Sequence, residues 1–89
     1  MDDATKAGVI RRLQSIDGHV RGIQRMVEED KYCIEVIKQV EAVQAALDKI
    51  SEIILDQHLR TCVTTAIRGD EPARREAVIS EILEVFRHN

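Results

Sequence analysis

Residues 32–67, YCIEVIKQVEAVQAALDKISEIILDQHLRTCVTTAI, contain neither glycine nor proline. Ile37, Val40, Gln44, Leu47, Ser51 and Ile54 recur at alternating steps of three and four, a heptad-like seam. Val36, Val43 and Ile50 widen it. The spacing predicts one helix from about Tyr32 to Ile67, spanning roughly 50 Å at 1.5 Å per residue. So long a helix cannot be covered by the short remainder of its own chain. The seam is therefore expected to meet another long helix, most simply that of a second protomer.

Outward from this stretch the punctuation is sparse. Glu28-Glu29-Asp30-Lys31 precedes it and Arg68-Gly69-Asp70-Glu71-Pro72 follows it. These breaks leave three helical segments in a single expected domain, 1–89. The first helix is expected over about 6–28, with Val9, Leu13, Ile16, Val20, Ile23, Met26 and Val27 on one side. Lys6, Arg11, Arg21 and Arg25 share the other side with Asp17. Gly18 and Gly22 lie in mid-helix, where each costs up to about 1 kcal/mol relative to Ala. Their spacing leaves room for a neighbouring helix or a phosphate backbone. The third helix is expected over about 72–88, its apolar residues Ala73, Ala77, Ile79, Ile82, Leu83 and Phe86 capping the bundle.

Composition sets the class. Of 89 residues 44% are hydrophobic and 33% charged, and the aromatics are Tyr32 and Phe86 alone. A β-sandwich needs far more aromatic and β-branched alternation, so the fold is expected to be all-α. No run of about 18 apolar residues predicts a membrane span. No secretion-signal core stands in residues 1–30, so a reducing cytoplasm with free thiols is the expected setting. No Ser/His/Asp set, phosphate loop or acid pair points to an enzyme. Net charge is −3, which taken whole argues against a nucleic-acid partner. The distribution argues the other way. Between Ala4 and Val27 five basic residues stand against Asp17 alone, giving a local +4. That face reads either as a solvated surface or as a phosphate-binding one, with Arg21 and Arg25 its candidates.

Cys33, His58 and Cys62 carry the chemistry. His58 and Cys62 are one turn apart on one helical face, a spacing suited to gripping one ion. Cys33 points in nearly the same direction but lies roughly 37 Å away along the helix. Two copies packed antiparallel and crossing near residue 46, at the small Ala45 and Ala46, bring Cys33 of one chain beside His58 and Cys62 of the other. A two-fold dimer would carry two such sites. Two thiolates and an imidazole suit Cu(I) or Zn(II), and a set of three leans toward Cu(I), because structural zinc usually takes four ligands. The plain alternative makes the cysteines small buried hydrophobes.

Arg12-Leu13, Gly18-His19-Val20-Arg21-Gly22-Ile23, Arg25-Met26, Tyr32-Cys33, Val43-Gln44 and His58-Leu59-Arg60-Thr61-Cys62 resemble the CsoR/RcnR family of bacterial transcriptional repressors. The resemblance covers nearly the whole chain. It implies a three-helix protomer, an antiparallel four-helix-bundle dimer of the long helices, and a tetramer built as a dimer of dimers. It further implies a repressor that holds operator DNA in the apo form and leaves it when an inducer binds. Cys33, His58 and Cys62 match the Cu(I)-sensing CsoR branch, where they form a trigonal site across the dimer interface. Nickel/cobalt sensors of the RcnR kind add an N-terminal histidine, formaldehyde sensors of the FrmR kind lack the second cysteine, and persulfide sensors of the CstR kind lack the histidine. By the same resemblance Tyr32 and Glu81 hydrogen-bond the liganding histidine, and Arg12 and Lys49 contact the operator. Two other readings stay open: a persulfide-responsive repressor using Cys33 and Cys62, and a helical copper-buffering protein with no DNA role.

Overall fold

The computed structural model describes residues 1–63, 68–69 and 71–87, for Cys62 and Val63 the backbone only. Three α-helices follow in order: α1 Asp3–Glu28, α2 Cys33–His58 and α3 Pro72–Arg87. No strand occurs among the described residues. No described helix is long and apolar enough to cross a membrane.

Helix α1 starts three residues earlier than the periodicity suggests. Asp2 is its N-cap, the Oδ1 atom accepting from the Thr5 backbone N–H at 2.7 Å. That bond satisfies one of the donors a helix start leaves open. Hydrogen bonding from Thr5, backbone first and side chain second, holds the Asp2 carboxyl below its ordinary value.

The helix closes in a Schellman turn. Lys31 N–H donates to Met26 O at 2.9 Å and Asp30 N–H to Val27 O at 3.1 Å. Asp30 takes the left-handed position, φ 53°, which glycine fills most easily and Asp tolerates. The Tyr32 carbonyl then accepts from Glu35 and Val36 N–H, so the backbone of Tyr32 launches α2.

Regular α geometry ends at His58, earlier than the expected 67. A π-helical stretch, Leu59–Val63, follows, and 64–67 lie outside the described residues. Within it the Thr61 hydroxyl donates to Gln57 O at 2.8 Å. It competes for the carbonyl that an α-helix reserves for the Thr61 N–H, a substitution known to bend helices. Helix α3 begins with Pro72 at its first position, where the missing N–H costs nothing. Its expected last residue, His88, lies outside the described set.

The chain forms two compact units, Met1–Leu55 and Asp56–Asn89. In the first, α1 packs on α2 through a narrow core of Val9, Ile16, Val43 and Ile50, with Ile23, Ala46 and Ile53 against it. His19 Nε2 meets Gln39 Oε1 at 2.7 Å across the same pair. In the second, Arg75 Nη2 donates to Gly69 O at 3.1 Å. Helix α3 buries no residue of its own, and Ile79, Leu83 and Phe86 stand exposed.

The division of the α2 surface corrects one expectation. Val43 and Ile50 do not widen the outward seam; they are 8% and 6% exposed and face α1. Ala46, partly buried, packs toward α1 as well. Ile37, Val40, Leu47 and Ile54 remain uncovered, Ile37 at 50% and Leu47 at 44%. Leu13, Val20 and Val27 of α1 are also left exposed. Each helix thus carries two apolar stripes, and the α1–α2 contact uses one from each.

Candidate metal centre and nucleic-acid surface

Cys33 and His58 are the first and last residues of α2. Cys33 is exposed and His58 half-buried. They lie in register with the uncovered stripe: Cys33 precedes Ile37 by four residues and His58 follows Ile54 by four. Both ends of the seam therefore carry a potential soft-metal donor. The side chain of Cys62 lies outside the described residues. Its backbone belongs to the π-helical stretch after His58, and such turns concentrate at functional sites. Composition and spacing gave no hint of that turn; its local signal is Thr61 one residue before a cysteine. Among the described residues, no three His, Cys, Asp or Glu side chains of the chain gather where they could hold an ion. The donor set, two thiols and an imidazole, fits a soft ion.

The residues assigned around that centre sit as follows. Tyr32 is 70% exposed just ahead of α2, and Glu81 is exposed on α3. Arg60, in the π-helical stretch, is held by Asp56 through Nε to both carboxylate oxygens at 3.0 and 3.1 Å, a pairing that the spacing of i and i+4 permits.

The basic residues fall on two separate surfaces of the first unit. Arg12 lines a small pocket between α1 and α2 with Ser15, Ile16, His19 and Ala46. Lys49 follows Ala46 by three residues, about one turn, and its Nζ lies 3.8 Å from Glu52 Oε2. Arg21 and Arg25 line a shallow depression on α1 with Gly18, Gln24 and Glu28. Arg21 Nη2 pairs with Asp17 Oδ2 at 3.1 Å, both side chains more than 60% exposed. Exposed pairs of this kind contribute at most about 1 kcal/mol, so a phosphate can replace the partner at little cost. A Cβ built at Gly18 or Gly22 meets nothing within 4 Å. No described residue of the first unit uses the close approach their spacing offers.

Comparison with known proteins completes the picture. A family model described as metal-sensitive transcriptional repressor matches residues 5–88. The chain is 43% identical over 82 residues to the copper-sensing transcriptional repressor CsoR of Bacillus subtilis (strain 168), covering 92% of this chain and 78% of that one. Its fold is similar to the copper-sensing repressor CsoR with Cu(I) from Geobacillus thermodenitrificans NG80-2, with TM-score 0.87 and 34% identity, covering 99% of this chain and 88% of that one. It is also similar to the nickel-responsive transcriptional regulator InrS, with TM-score 0.77, 39% identity and 90% of each chain covered. With the three-helix fold and a match over nearly its full length, the chain belongs to the metal-sensitive transcriptional repressors, a family of DNA-acting regulators and not of enzymes.

Proposed function

We propose that this protein is a copper(I)-responsive repressor that occupies operator DNA in its apo form and releases it when Cu(I) binds between subunits. Each site would take Cys33 from one chain with His58 and Cys62 of the partner subunit. The observation that carries the reading is the uncovered α2 stripe, which starts at Cys33 and reaches His58, while α1 covers the neighbouring stripe. A regular helix sets those two residues roughly 37 Å apart in one chain, so only a second chain running antiparallel joins them. The copper-sensing names of the relatives, and the Cu(I) in one structural neighbour, support the choice of metal.

The ion, when bound, supplies a strong cross-link between the two long helices. Cys33 and Cys62 would hold the ion as thiolates, the form in which cysteine binds a soft metal. His58 gives the third donor, and Tyr32 with Glu81 are proposed to orient its ring; an oriented imidazole is a better ligand than a free one. Arg12 and Lys49, with Arg21 and Arg25, would meet phosphates, releasing condensed counterions. Repeated over an antiparallel dimer and a tetramer of two dimers, these faces give a protein of net charge −3 a basic surface for DNA. A 100-fold weakening of DNA binding on metal loading corresponds to about 2.7 kcal/mol of coupling.

The test is an anaerobic gel-shift titration beside a Cu(I) binding titration. One Cu(I) per chain, thiolate absorption, and release of the operator over the same concentration range are expected. Operator affinity indifferent to Cu(I) overturns the reading. The nickel-responsive neighbour makes Ni(II) the necessary control.

A further inference from the structure

We infer that Gln44 and Ser51 are positioning residues: a polar pair across the two-fold axis that locks two α2 helices in the one register that sets Cys33 against Cys62 of the partner subunit. The inference rests on the antiparallel pairing proposed above.

Along the uncovered stripe stand Ile37, Val40, Leu47 and Ile54, with Gln44 and Ser51 interposed at the heptad spacing. Both polar residues are exposed. Neither engages in a side-chain hydrogen bond or ion pair among the described residues. Nothing within the chain therefore accounts for a carboxamide and a hydroxyl on an otherwise apolar seam.

The pattern is self-complementary when reversed. With the two-fold axis between positions 47 and 48, Leu47 lies beside the partner's Leu47, Val40 falls within one residue of the partner's Ile54, and Ile37 pairs with the partner's His58. Cys33 then faces the partner's Cys62, and Gln44 faces the partner's Ser51, twice over by symmetry. A second copy is thus an occupant whose polar positions meet polar and whose apolar positions meet apolar. Slipping the pair by one helical turn sets Gln44 against Leu47 or Ile54 and strands its amide in an apolar seam. A parallel arrangement sets Gln44 against itself and separates Cys33 from the partner's Cys62 by the length of the helix. A buried polar residue at a core position is an established device for fixing register and orientation in helix pairs, at some expense of stability.

Cross-linking reads the register without copper or DNA. Cys33 and Cys62 are the chain's two cysteines, and diamide accepts the two electrons and two protons released as a pair of thiols joins. The wild-type protein is expected to give a covalent dimer through Cys33 and Cys62. Cys62→Ala is expected to abolish it, since Cys33 does not face its own copy. Replacing Gln44 and Ser51 together by Leu should cut the Cys33–Cys62 yield at least fivefold while leaving the protein helical and oligomeric. The exchange Gln44→Ser with Ser51→Gln, which keeps a polar pair across the axis, should restore it. Undiminished heterotypic cross-linking in the double Leu variant overturns the register role, as does failure of the exchange to rescue. Absence of the wild-type Cys33–Cys62 link instead overturns the antiparallel site itself. A normal link in a protein that ignores Cu(I) overturns the copper reading and leaves the register inference standing.

Discussion

His19 Nε2 lies 2.7 Å from Gln39 Oε1 and ties the middle of α1 to the first half of α2. With the amide oxygen as acceptor, Nε2 carries the proton. The bond is partly buried, so removing one partner leaves a polar group poorly solvated. His19→Leu and Gln39→Leu singly are each expected to lower unfolding free energy by about 1 kcal/mol, and the pair to couple by a similar amount. Urea denaturation of the two single variants and the double variant measures this. An additive double variant would mean the bond contributes nothing in solution.

Asp30 occupies the left-handed turn that ends α1. A β-branched residue there is strained by roughly 1–3 kcal/mol, whereas glycine adopts it freely. Asp30→Val is expected to lower the thermal midpoint and Asp30→Gly to hold or raise it, as circular dichroism melts will reveal.

Ile50 and Leu47 lie on one helix but differ in what covers them. Ile50 is 6% exposed in the α1–α2 core and Leu47 is 44% exposed on the open stripe. Ile50→Ala is expected to cost about 2–5 kcal/mol of stability. Leu47→Asp should instead raise the dimer dissociation constant at least tenfold, about 1.4 kcal/mol. Sedimentation across a concentration series separates the two effects, because stability and assembly are linked in an oligomer.

Arg21 and Arg25 are read as phosphate-binding residues on one surface, Arg12 and Lys49 on another. Deleting one such cation should reduce the slope of log K against log salt by about 0.9 for every subunit on the duplex. Arg25→Ala and Arg12→Ala are therefore expected to flatten the salt dependence. Lys38→Ala, whose Nζ sits 3.4 Å from Glu35 Oε1, should leave it unchanged. Fluorescence anisotropy at several salt concentrations distinguishes them, and equal slopes for all three would remove the assigned surfaces.

His58 separates copper from sulfur as the inducing signal. His58→Ala deletes a metal donor but leaves both thiols. Cu(I)-driven release of DNA is expected to fall about 100-fold or more, while persulfide cross-linking of Cys33 to Cys62 persists. Release by copper that survives His58→Ala would favour the sulfur-sensing reading.

The sequence by itself carried the all-helical class and the helix count, because a 3.6-residue period and a lack of breakers depend only on local order. Its breaks at 28–31 and 68–72 separate the helices at the observed bounds of Glu28 and Pro72. The N-cap at Asp2 was missed, because periodicity starts counting only at the first apolar residue. What the wheel could not divide is the broad apolar arc of α2. Val43, Ile50 and Leu47 look alike in a list, and only packing against α1 turns the first two inward and leaves the third exposed. The π-helical stretch after His58, where the Thr61 hydroxyl bonds Gln57 O, was also hidden, since a one-residue change of helical period leaves no mark in an apolar pattern. Periodicity records which residues avoid water; which surface shields each of them is a property of the assembled helices.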